Sequence, residues 1–136
     1  MIEHHIAATG LAAWHAYMDG GANPDGLRAM LAEDAVFHSP VVHTPQIGRD
    51  KVFAYLFAAS KVLGSANFAY VRDIVDSDSA MLEFTDVVDG IHINGVDIIR
   101  WNDAGQIVDF KVMVRPLKAV NKLWEQMAAM LAAQAE

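Results

Sequence analysis

Between residues 68 and 115 the chain has no proline, and apolar residues recur at every second position between short turn signals. A period of two belongs to strands. Four such stretches in a row, 68–75, 80–88, 91–102 and 106–115, predict an antiparallel meander joined by "DSDS", "DG" and "NDAG".

Helical spacing marks most of the remainder. Residues 2 to 19 carry Ile6, Leu11, Trp14, Tyr17 and Met18, and "DGGANPDG" ends that helix. Asn23 and Pro24 form a cap and first-turn pair, opening a short helix whose apolar face is Leu27, Met30 and Leu31. A third helix, about 50–63, presents Val52, Leu56, Ser60 and Leu63, and Gly64 stops it. After Pro116 a last helix runs to about residue 134 with Val120, Leu123, Trp124, Met127, Met130 and Leu131 on one stripe. Between the second and third helices "AVFHSPVV", 35–42, reads as a strand that Pro40 confines to an edge or ends early.

The 136 residues fit one domain, 1–136, and 54% are hydrophobic. No run of about 18 apolar residues free of charge is present. The N-terminus "MIEHHIAATG" has no basic region followed by an apolar one, so a cytoplasmic location is expected. Without cysteine there is no disulfide, thiolate zinc site or thiol nucleophile. A formal charge of −7 with no basic block argues against nucleic acid or an anionic membrane and for a small ligand. "GSANF" and "DGGANPDG" lack the strand and helix context of a phosphate loop, and no cofactor is expected. His38 and His43, or His4 beside His5, lack ligand spacing and a third partner, so no metal is expected.

Two hairpin signals compete. If Asp89 and Gly90 make the turn, Val88 faces Ile91, Phe84 faces Gly95 and Leu82 faces Asp97; if Asn94 and Gly95 make it, His92 faces Asp97. The registers differ by an even number of residues, so both give the same faces. One face carries Leu82, Phe84, Asp86 and Val88, then Ile93, Asp97, Ile99 and Trp101, then Val108, Phe110, Val112 and Val114. Asp97 therefore points into an apolar surface, where burial raises a carboxyl pKa. The other face mixes charges with Met81, Val87, Val96, Ile98 and Met113, which suggests a partner sheet and a homodimer.

The order helix, helix, strand, helix, then a long meander resembles the nuclear transport factor 2 superfamily, which includes SnoaL-like proteins and ketosteroid isomerases. The motifs are "DGLRAMLAEDAVFHSPVV" at 25–42, "IGRDKVFAYLFAA" at 47–59 and "VDIIRWNDAGQIVDFKVMVRP" at 96–116. The resemblance implies an α+β cone, a curved sheet wrapped around three N-terminal helices with an apolar pocket, plus the C-terminal helix. It also implies that Asp97 stands where ketosteroid isomerases hold a neutral aspartic acid that donates a hydrogen bond. Their general-base aspartate, before the proline of the first strand, falls here on Ser39, which cannot take a proton from carbon unaided. Their first-helix tyrosine falls on Trp14 or His15.

Asp97 is thus either a pocket acid or a structural carboxyl satisfied by His15 or Tyr17. Asp86 shares its face, as a base near the open end or as a solvated residue near the hairpin tip. Strand alternation turns Phe37, Ser39 and Val41 inward and His38 outward, unless a bulge before Pro40 reverses it. His15 is a candidate base or a core or rim residue. Tyr17 and Tyr55 offer phenols or are amphipathic core residues, and Trp14, Phe84, Phe110 and Val112 complete the expected lining. Three functions follow. The first is an isomerase, cyclase or hydro-lyase with Asp97 as acid or donor and His15 or His38 as base. The second is a non-catalytic binder of a small apolar molecule, and the third a structural dimer with its interior filled by Trp14, Met18, Phe84 and Phe110.

Overall fold

Residues 5–135 are described by the computed structural model. Helices α1 (His5–Asp19) and α2 (Pro24–Met30) lead to β1 (Leu31–His38), β2 (Gln46–Ile47) and α3 (Arg49–Leu63). The meander β3 (Ala69–Asp76), β4 (Ser79–Val88), β5 (Ile91–Trp101) and β6 (Ile107–Arg115) follows, and α4 (Leu117–Ala135) ends the chain. The expected start of the first helix, residues 2–4, lies outside the described residues. No described helix is long and apolar enough to cross a membrane.

Local chemistry sets the element ends. Asn23 Oδ1 accepts from the Asp25 and Gly26 amides at 2.9 and 3.3 Å, and Pro24 fills the first turn, so α2 starts where its cap dictates. It stops at Met30, sooner than the apolar spacing implied. Leu31 is the first residue of β1 and packs in the core from there. The strand ends at His38 because Pro40 cannot continue the ladder, and the two-residue β2 was not anticipated.

Six strands form one mixed sheet in the order β2-β1-β6-β5-β4-β3, with β1 parallel to β6 and the other pairs antiparallel. Asp89 and Gly90 win the hairpin. Both have positive φ, 50° and 78°, as a two-residue turn of this twist requires, and Leu82 consequently faces Asp97. Gly95 lies within the strand instead, where close packing needs it: the Phe84 ring and the Met113 carbonyl occupy the space in which its Cβ would stand.

Register breaks between Leu31 and Val36, Tyr70 and Arg72, and Arg100 and Trp101 add bends to the sheet. The last of these corrects one expectation. Trp101 pairs with Ile107, so Ile107 and not Val108 is buried in the core. The result is the α+β cone: a curved sheet around the three N-terminal helices, with Ala119, Leu123 and Met127 of α4 buried on the same side.

Candidate functional site

Along β5, Ile93, Gly95, Asp97, Ile99 and Trp101 are buried in strict alternation. Asp97 is 6% exposed, and it lines a cavity of about 40 Å³. Phe37, Phe110 and Val112 supply the sheet wall, and Trp14 and Met18 come from α1. Leu56 and Ser60 of α3 face them, Leu123 and Met127 of α4 cover the far side, and Pro40 and Val41 line the end after β1. Among the described residues lining it, Asp97 and Tyr70 alone have ionisable side chains.

Asp97 belongs to a relay. Trp14 Nε1 donates to the Tyr70 hydroxyl at 2.8 Å, and that hydroxyl donates to Asp97 Oδ2 at 2.7 Å. Burial pushes the carboxyl up from its ordinary 3.8 to about 7, against the lowering effect of the Tyr70 bond. Burial, followed by the nearby Asp97 charge, holds the Tyr70 phenol far above its ordinary value, so it remains a donor. Since Oδ2 accepts from Tyr70, the proton of the neutral acid belongs on Oδ1.

Tyr70 was not among the residues singled out from sequence, and the reason is a bulge. From Asp76 opposite Ser79 back to Arg72 opposite Glu83, an even register would carry Tyr70 to Thr85 on the outer face. The irregularity at Val71 places Tyr70 opposite Phe84 instead, which turns its ring inward.

The other expected residues divide. Trp14, Phe37, Phe110 and Val112 line the cavity with Asp97. Phe84 stands behind it, its ring 5.3 Å from Phe68 and 6.4 Å from Tyr70, and supports the wall without facing the space. Tyr17 donates to Ser60 Oγ at 2.9 Å inside the core, and Tyr55 packs beside Phe37 at 5.7 Å; neither lines the cavity. Neither Tyr17 nor His15 satisfies Asp97, because Tyr70 does.

Both histidines fall outside. His38 sits on the outer face, its Nε2 2.9 Å from Asp109 Oδ1, as alternation and parallel pairing with β6 require. No bulge before Pro40 reverses it. His15 stands edge-on to Tyr70, centroids 5.5 Å apart, and does not line the cavity. Ser39 Oγ accepts from the Val41 amide at 3.1 Å and does not line the cavity. Asp86 is not solvated at a hairpin tip: it is 2% exposed, Oδ1 accepts from Ser65 Oγ at 2.6 Å and the Val87 amide at 2.7 Å, and Oδ2 is buried without a partner. It lies apart from the cavity around Asp97.

A family model described as the SnoaL-like domain matches residues 7–110. The chain belongs to the SnoaL-like family. Those residues contain Trp14, Tyr70 and Asp97, while α4 and its cavity-facing Leu123 and Met127 lie beyond them. A search among curated proteins returns no match. Among solved structures, this SnoaL-like chain is similar to a steroid delta-isomerase from Pseudomonas aeruginosa, with 39% identity, TM-score 0.88, and coverage of 96% of this chain and 94% of that one. An uncharacterised bacterial protein with a cystatin-like fold from Silicibacter pomeroyi is 34% identical, TM-score 0.80, covering 88% and 83%. A designed protein with a curved β-sheet, 14% identical with TM-score 0.68 over 87% and 96%, shares the fold alone.

Proposed function

We propose that the cavity binds a small apolar molecule bearing a carbonyl, and that protonated Asp97 donates its hydrogen to that oxygen. The observation that carries this reading is the carboxyl held by Tyr70 in an otherwise apolar wall. An acid so placed gives a directional hydrogen bond where water does not compete. Likeness to the steroid delta-isomerase from Pseudomonas aeruginosa supports carbonyl chemistry.

Prodan, an apolar naphthyl ketone whose emission reports its surroundings, tests the reading. It binds the wild type below about pH 7 and loses affinity above it as Asp97 ionises. Asp97→Asn, which keeps a donor and does not titrate, binds with no such loss, and Asp97→Leu binds weakly at every pH. Equal affinity in wild type and Asp97→Leu would refute the proposal.

A second reading, turnover, rests on the same carboxyl titrating near neutrality. With Ser39 in the base position and His15 and His38 outside the cavity, Asp97 is the one carboxyl among the described lining residues left to move protons. As a carboxylate it would take a proton from the carbon between carbonyl and double bond of a β,γ-unsaturated ketone and return it to the far carbon. Absorbance of the conjugated product then rises with pH through about 7, opposite to prodan binding. Absence of product leaves the binding reading alone.

The outer face supports self-association. Ile74 is 58% exposed and Met113 49%, flanking an apolar groove with Met81 and Val96. A homodimer through this face would cover them. Sedimentation that gives a dimer in wild type and a monomer in Met113→Lys supports it; a wild-type monomer refutes it.

A further inference from the structure

The space beside Asp97 is about 40 Å³, whereas pockets for drug-sized ligands begin at roughly 300 Å³. A second space, about 320 Å³, lies against the same wall from outside, bordered by His15, Asp19, Ser65 and Ala69. Met18, Phe68 and Tyr70 border both. These shared side chains form the partition between the two spaces.

The three differ in how they are held. Met18 has three rotatable bonds and adapts readily to a changing cavity. Phe68 precedes β3 in a loop, and Tyr70 lies at a register break on a strand with one free edge. Phe68 meets Tyr70 edge-on at 5.0 Å, so the two rings move together or clash. The polar bonds holding the partition are those of the Tyr70 hydroxyl, one from Trp14 and one to Asp97.

We propose that the ligand spans both spaces, its oxygen at Asp97 and its far end against His15 and Asp19, and that Met18, Phe68 and Tyr70 swing aside to admit it. This rests on the binding reading above and adds a ligand class to it: an elongated apolar molecule with polar groups at both ends. His15 and Asp19, on the last turns of α1, face the outer space from one side. A short ketone would reach Asp97 without touching them.

Stopped-flow fluorescence with prodan, and competition by cyclohexanone as the short ketone, test this on the intact protein. Tyr70→Phe, which removes the hydroxyl bonds, should speed prodan association about tenfold, the size of one net hydrogen bond, and Phe68→Ala, which thins the partition, should speed it severalfold. Ile47→Ala, exposed on β2 and lining neither space, should leave that rate unchanged. His15→Ala should weaken prodan severalfold and leave cyclohexanone unaffected. Unchanged rates in both partition variants, or equal acceleration in Ile47→Ala, would overturn the proposal, as would equal effects of His15→Ala on the two ketones. If neither ketone binds, or binding ignores Asp97→Leu, the binding reading itself falls; if Asp97 matters while His15 and the partition do not, only the two-space proposal does.

Discussion

Replacing Asp97 with asparagine removes a proton equilibrium and changes little else. The side chains are the same size, and the amide oxygen still accepts from Tyr70. In the unfolded chain the aspartate ionises near its ordinary 3.8; in the folded protein it does so at about 7. Between those values the native chain keeps a proton that the unfolded chain has released. The stabilising contribution is therefore fully present below 3.8 and is lost as pH rises to about 7, after which it is level. Each pH unit in that window corresponds to about 1.4 kcal/mol, so the full swing is about 4 kcal/mol. Asp97→Asn carries no such dependence. Equal to the wild type near pH 4, it should be the more stable protein by about 4 kcal/mol near pH 8, or roughly 10 °C or more in Tm. Urea unfolding of both proteins in steps of about half a pH unit measures the difference, and all other titrating groups cancel in it. A flat difference would mean an ordinary, hydrated carboxyl. A wild type that gains on the variant as pH rises would mean an anion stabilised by partners, and the apolar-cavity account would be wrong.

Three further outcomes follow from the same geometry. Tyr70→Phe deletes the bond that lowers the Asp97 pKa, so the carboxyl midpoint should move above about 7 in a side-chain NMR titration; a downward move would contradict the relay. Gly95→Ala places a methyl against the Phe84 ring and the Met113 carbonyl and should cost about 1–3 kcal/mol in urea unfolding, whereas a neutral result would show slack in that packing. His38→Gln breaks a part-exposed pair with Asp109 on the outer face and should cost no more than about 1 kcal/mol while leaving prodan affinity intact; lost binding would bring His38 into the site.

Most of the fold could be read in advance because its signals are local. The Asn23–Pro24 cap, the Asp89–Gly90 turn and the alternation along β5 each follow from a few neighbouring residues, and Asp97 points inward as its strand rhythm demands. What escaped is set by register between strands. A bulge at Val71 decides that Tyr70 turns in, and another near Trp101 exchanges Val108 for Ile107. Neither bulge carries a glycine or proline to announce it. Asp86 misled for a different reason: its closeness to the hairpin turn suggested water, but the Ser65 loop folds over it. The relay through Trp14 and Tyr70 joins residues 56 apart in sequence, and no periodicity reveals such a contact.

The most direct measurement is the ionisation of Asp97 itself. With carbon-13 in the aspartate side chains and Asp97→Asn to assign the resonance, the Asp97 carboxyl should change from acid to carboxylate with a midpoint near 7. A midpoint at or below the ordinary 3.8 would show a carboxylate ionised throughout the neutral range, with no hydrogen to donate to a ligand.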